Sequence, residues 1–235
     1  MLIPITRKKF EELIPLTATA DQYKYYWGKF PDILQRVLIS VAAVVAVLIL
    51  RAITGGRFEI IIAFLGAAAG LYWLWQPVYR ATRRNWECRK YKYSGFFRGE
   101  VLDLFVTEEL IGKEETVNKQ GELVIIENRE RRINLDIGDE TGFLTTVQAP
   151  LLRIHRSIRR GDVVELLVMS NRPDLSRISF VSDVFLPDND LWVSDYPYVR
   201  KDVFMDVSRR LGQQSDGWRG EDNLDDEPRR RIRKF

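Results

Sequence analysis

Few residues in this 235-residue chain have the types and spacing that chemistry needs: one cysteine, Cys88, one histidine, His155, and two small groups of carboxylates. A single cysteine excludes an intramolecular disulfide. Near a membrane face, Cys88 reads as a free thiol, with palmitoylation as the alternative use. His155 stands between Arg153 and Arg156 on an expected short helix and reads as a surface residue. It does not pair with Ser157, because residues two apart on a helix do not face each other. A zinc site needs three or four Cys, His or carboxylate ligands, and no such cluster occurs in the sequence. Asp136, Asp139 and Glu140 crowd a turn, where Asp and Gly serve the backbone. Asp188 and Asp190 are two carboxylates in a loop, too few for a cation site. A phosphate-cradling glycine loop is also missing. The expectation is a protein with no catalytic, cofactor-binding or metal-binding residues, and so not an enzyme.

What the chain has in quantity is basic charge beside aromatic rings. Residues 80–98 carry Arg80, Arg83, Arg84, Arg89, Lys90, Lys92 and Arg98 against a single acid, Glu87. Trp73 and Trp75 precede them. Basic groups close to an anionic membrane surface gain about 1 kcal/mol each, and tryptophan favours headgroup depth. Arg80, Arg83, Arg84, Arg89, Lys90, Lys92, Trp73 and Trp75 are therefore the expected lipid-headgroup residues. Nucleic acid would use the same charges, but their place directly after an apolar stretch is explained more simply by lipid.

Positioning these groups requires the elements before them. Val37 to Leu50 is apolar apart from Ser40, and Phe58 to Val78 is interrupted only by Glu59 and Gln76. A bilayer-spanning helix takes about 20 apolar residues. Extension to Thr54 brings the first stretch to that length, with Arg51 able to reach the headgroups. Neither stretch has a polar face, and the charged remainder of the chain offers no large core to bury them. They read as two transmembrane helices, 37–79, joined by a turn at 51–57. Aromatic groups at Tyr23, Tyr25, Tyr26, Trp27 and Phe30, and at Tyr72, Trp73, Trp75 and Tyr79, mark one interface. Basic residues on both flanks outnumber those in the turn, which places both termini in the cytoplasm or stroma. Gly66 and Gly70 form a small-residue strip for close helix packing. The hairpin's own first helix is the nearer partner for that strip; another membrane protein is the alternative.

From Phe97 to Pro187 the apolar period changes to two, with strands expected at 101–106, 123–127, 133–137, 143–147, 163–169 and 178–186. One short helix, 151–158, precedes Gly161. Five or six strands around one helix suggest a small closed or partly closed barrel, OB-like in its order of pieces. Segment 1–36 reads as a cytoplasmic or interfacial piece, with a short amphipathic helix from Phe10 lying on the membrane and ended by Pro15. Segment 80–96 reads as a basic juxtamembrane linker. Segment 188–211 reads as an extended piece and short helix packed on the barrel, and 212–235 as a disordered charged tail. The expected fold class is an α+β membrane protein: an N-terminal two-helix transmembrane hairpin followed by a small OB-like β-barrel domain.

An anchor followed by such a barrel resembles NfeD-type membrane proteins. Through stretches such as Tyr25-Tyr-Trp-Gly-Lys29 and Gln76-Pro-Val-Tyr-Arg80, most of the chain is similar to small two-span membrane proteins of unknown function from cyanobacteria and plastids. Some of those carry a phosphate ABC transporter permease label. The resemblance implies a location, thylakoid or plasma membrane, and brings no catalytic motif. The expected function is a non-catalytic binding or scaffold protein whose partners are the lipid bilayer and a larger membrane complex, a photosynthetic one where the membrane is the thylakoid. An accessory transporter subunit is the alternative. Nucleic-acid binding by the barrel is not expected, because Asp103, Asp136 and Asp183 interrupt its basic surface and Phe105, Phe143, Phe180 and Phe185 are assigned to packing. No small-molecule substrate is indicated.

Overall fold

Thr6 opens the first helix by accepting the Lys9 N–H on its hydroxyl, one of the donors that the first turn of any helix leaves over. In the computed structural model, residues 1–28, 30–55, 58–117, 123–140 and 142–222 are described. A short strand β1 (Leu2–Pro4) leads into α1 (Arg7–Leu13) and α2 (Ala20–Trp27). α3 (Phe30–Thr54), α4 (Glu59–Gly70) and α5 (Tyr72–Arg89) form the apolar part. Then come β2 (Tyr93–Val117), β3 (Leu123–Gly138), β4 (Leu144–Pro150), a 3-10 helix (Arg153–Ser157), β5 (Val163–Ser170), β6 (Ile178–Leu186), β7 (Leu191–Val193) and α6 (Lys201–Asp222).

The sheet is antiparallel throughout, in the order β4-β3-β2-β5-β6-β7, with β1 added to β2. β2 holds it together. Residues 93–100 pair with β5, and residues 100–117 pair with β3. The change of partner coincides with a register shift between Val101 and Asp103, and it needs glycine. A Cβ on Gly99 would come within 2.4 Å of the Gly138 carbonyl oxygen.

Alternation sends neighbouring side chains of β5 to opposite faces. Val164, Leu166 and Val168 join Phe97, Val101, Ile133, Leu135, Ile137 and Val184 in one core. Leu167 and Met169 join Phe96, Phe185, Phe10, Leu13 and Phe204 in a second core beneath α1 and α6. A strand buried on both faces reads as a near-continuous apolar run, and Val163-Val-Glu-Leu-Leu-Val-Met is broken only by the buried Glu165, which Arg98 faces at 3.8 Å.

The expected barrel does not close. β7 occupies the edge of β6 through Val184–Val193 and Leu186–Leu191 pairing, and β4 ends at Pro150, which has no N–H to give. An ion pair, Arg132 to Asp195 at 2.9 Å, ties β3 to the segment after β7.

Other expectations are corrected. The second apolar stretch is not one helix: α4 and α5 are bent by 76° at Leu71. Residues 80–89 are helix and not linker. The α1 helix does not lie on a membrane; Phe10, Leu13 and Ile14 are buried in the second core. Arg7 caps the end of α5 by donating to the Arg89 and Tyr91 carbonyls. Residues 212–222 continue α6, since no proline interrupts them and Gly212 alone does not end a helix. Gly56 and Arg57 of the turn, and 223–235 of the tail, lie outside the described residues.

Candidate functional site at the base of the apolar helices

α3 is 25 residues long, apolar enough to cross a membrane, and almost uncovered by the rest of the chain. α4 runs beside it. Gly66 faces Val47 and Gly70 faces Val44, each with 3.6 Å between an added Cβ and the valine methyl. The strip is thus turned inward on α3, yet a methyl group would fit at either glycine.

Leu71 ends α4 and starts α5 without a side-chain cap of its own. Other side chains take over. Ser40 of α3 accepts the Trp73 N–H at 3.2 Å, and the Trp75 indole donates to the Ala68 carbonyl at 2.9 Å. Broken helices persist in apolar surroundings when freed backbone groups find such partners.

α5 is amphipathic. Gln76, Pro77, Ala81, Asn85 and Cys88 are buried, while Trp75, Tyr79 and Trp86 face outward. Tyr72, Trp75 and Tyr79, spaced three and four apart, meet edge to face at 5.3 and 6.2 Å. Beside this stripe a cleft of about 740 Å³ opens between α5 and Tyr26 of α2. Arg80, Arg83 and Arg84 supply its charge, with Gln76, Tyr72 and Tyr79 around them and Glu87 at one end. Arg83 is paired with Glu87 at 3.3 Å. Among the described residues neither Arg80 nor Arg84 makes an ion pair.

Arg84 reaches furthest in. Its guanidinium lies 4.1 Å from the Tyr196 ring centre and donates to the Tyr198 hydroxyl at 2.8 Å. Tyr25 and Tyr26 close on Tyr196 from α2 at 5.0 and 5.5 Å. Below them the Gln22 and Asn85 amides, both fully buried, pair reciprocally at 2.8 and 2.9 Å, and Gln22 also donates to the Pro197 carbonyl. Asp183 of β6 accepts the Tyr198 and Val199 N–H groups at 3.1 and 3.0 Å. Burial raises its carboxyl to about 7, against those two hydrogen bonds. The helices and the sheet are therefore locked through residues 196–199.

The expected headgroup residues divide accordingly. Arg80, Arg83 and Trp75 line the cleft. Lys90 is exposed and folds over the Trp86 ring at 4.2 Å. Arg84 belongs both to the cleft and to the interior. Arg89 is turned to Glu11 at 2.8 Å, Lys92 lies away from the cleft beside Pro4 and Tyr93, and Trp73 packs on Trp27. Tyr26, Tyr72 and Tyr79 were expected as aromatic markers of the interface and not as residues of the site, and Gln76 was not expected at either. The spacing of Tyr72, Trp75 and Tyr79 carries that signal in the sequence, whereas nothing near Arg84 points to Tyr196 and Tyr198.

The remaining chemistry-bearing residues are inside. His155 is buried, not on the surface. Its Nδ1 accepts the Leu152 N–H, and burial lowers its pKa. Cys88 lies in the second core, where burial pushes the thiol up to about 12 and no acylating enzyme reaches it. Phe185 is buried, and Phe143 and Phe180 pack against core residues, but Phe105 is exposed. Among the described residues no three His, Cys, Asp or Glu side chains gather as a metal site.

Fold and site together define an α+β protein with one helix long and apolar enough to cross a membrane, a bent pair of helices beside it of which the second is amphipathic, and an open antiparallel sheet. The chain belongs to a family of unknown function, DUF8619, whose model matches residues 3–216. No curated protein and no solved structure matches it.

Proposed function

We propose that the protein is a non-catalytic, membrane-anchored scaffold that holds an OB-like sheet domain against the cytoplasmic or stromal face of a membrane. It acts there as a subunit or assembly factor of a larger membrane complex. The observation that carries this reading is the bare apolar surface of α3 and α4, where Leu38, Val41, Val45, Leu48, Ile60 and Phe64 are all exposed. Keeping such surface in water costs about 25 cal/mol per Å², a cost absent in hydrocarbon. At about 1.5 Å per residue α3 rises about 37 Å, enough for about 30 Å of hydrocarbon, whereas α4 rises only about 18 Å. On this reading α4 covers part of the return path and α5 leaves along the interface. The pairing of β1 with β2 and the packing of α2 on α5 keep the N-terminal segment with the sheet domain. That arrangement supports placing both on the side chosen by the basic flanks. The strand order β4-β3-β2-β5-β6 supports an OB-like plan left open at one seam.

The contact element for the complex is the β2–β3 ribbon, which runs past both cores and exposes Leu110, Ile111, Leu123 and Ile125. Native membranes solubilised in mild detergent are expected to release the chain in a particle larger than its own 27.5 kDa. Replacing residues 107–131 by a two-residue turn is expected to release a monomer, with both forms resistant to alkaline carbonate. Recovery of the intact chain only as a monomer overturns the scaffold reading, and its extraction by carbonate overturns the anchor.

A further inference from the structure

We propose that the cleft between α2 and α5 holds the phosphate of one anionic phospholipid headgroup. The inference rests on the anchoring reading and adds a ligand to it. Arg80, Arg83 and Arg84 lie three and four residues apart and so project from successive turns into one volume. Guanidinium forks match phosphate oxygens, and Arg80 and Arg84 have no carboxylate partner among the described residues. Neutral groups surround them: the Tyr26, Tyr72 and Tyr79 hydroxyls border the same cleft, a set suited to the glycerol and phosphate oxygens of a headgroup, and the Gln76 amide oxygen accepts from the Arg80 guanidinium and orients it.

The other wall favours a lipid over a free anion. Trp75 and Tyr72 close the cleft on the side of the 76° bend, and their rings give it an apolar wall there. Acyl chains can lie there while the phosphate sits among the arginines. Glu87 at the far end, paired with Arg83, limits the ligand to one phosphate and disfavours a polyanion. Arg84 is held by Tyr196 and Tyr198, so at least one donor is in place before binding.

The test uses the full chain in neutral detergent, titrated with short-chain phosphatidylglycerol, short-chain phosphatidylcholine or glycerol 3-phosphate, with bound ligand counted by native mass spectrometry. One phosphatidylglycerol per chain is expected, bound about tenfold more tightly than phosphatidylcholine, and Arg80→Gln with Arg83→Gln is expected to remove about that factor. Both arginines are exposed, so the variant is expected to keep its fold, checked by circular dichroism. Lys90→Gln with Lys92→Gln removes equal charge outside the cleft and is expected to change affinity by less than about twofold. Equal binding of the two lipids, or equal losses in the two variants, overturns the site. Glycerol 3-phosphate binding as tightly as phosphatidylglycerol overturns the lipid as its source and leaves a soluble phosphate compound. Carbonate extraction reports on anchoring and not on the cleft, so the two readings fail separately.

Discussion

Two regions of the molecule leave apolar side chains uncovered, and they differ in what lies between those side chains. On α3, Val37 to Leu50 contains no charged residue, and every side of the helix away from α4 and α5 is apolar. On the β2–β3 ribbon, Leu123 and Ile125 share a face with Glu127 and Arg129, Leu110 stands opposite Arg129 and Ile125 opposite Glu115, and Glu127 pairs with Arg129 at 2.9 Å. Charges set among the apolar side chains keep the ribbon hydrated, whereas a helix without a polar stripe has nothing to offer water. The first surface therefore calls for a solvent other than water along its whole length. The second is that of a ribbon wetted by its charges, with apolar side chains between them open to a partner.

The largest effect that separates these cases comes from Val41→Asp with Val45→Asp, two outward positions on one face of α3, 56% and 49% exposed. In a bilayer each carboxylate costs about 3 kcal/mol, so carbonate-resistant protein is expected to disappear. If the helix faced water, the pair would change stability by about 0.5 kcal/mol or less. Membrane fractionation of the variant decides between them.

The junction between the two regions has its own signature. Asp183 keeps its proton in the folded protein up to about pH 7, while the unfolded chain loses it near pH 4. The folded state therefore binds more protons across that window, and stability falls as pH rises from about 4 to about 7, then levels. The full shift corresponds to at most about 4 kcal/mol. Burial moves Glu165 in the same direction, so the comparison is with Asp183→Asn, expected to retain at pH 8 most of its pH 5 stability in denaturant titrations. An unchanged slope in the variant would remove Asp183 from the account.

The smallest effect concerns the glycine strip. Because an added Cβ at Gly66 meets only Val47 at ordinary contact distance, Gly66→Ala is expected to leave thermal stability unchanged or raise it slightly, alanine being the better helix former by about 1 kcal/mol. A marked loss would mean that α3 and α4 approach more closely in the membrane.

Much of the fold is legible in residue patterns. The apolar run to Thr54, the strands at 133–137, 163–169 and 178–186, and the glycine-ended turn at 161 follow from local periodicity. The site is legible only in part. Arg80 and Arg83 stand out by charge, but α5 is revealed as amphipathic only when it continues through the basic segment. Beside its bend at Leu71 the freed Trp73 N–H is taken by Ser40, 33 positions away, while Pro77, the residue that sequence marks as a helix breaker, lies inside α5. His155 is buried where the sequence suggests a surface residue, because its neighbours in sequence are charged and apolar side chains cover it in the fold; Cys88 is the free thiol expected, and its burial is what the sequence does not show.

Composition and periodicity by themselves determined which segments avoid water, which alternate as strands, and where basic and aromatic residues concentrate. These are properties of a residue and its near neighbours. Tertiary structure alone decided that the second apolar stretch breaks, that β7 takes the edge where a barrel would close, and that Arg84 turns inward to Tyr196 and Tyr198 while Arg80 and Arg83 stay at the cleft. Each of those outcomes rests on partners far apart in the chain, whose hydrogen bonds and ring contacts exist only once the chain has folded.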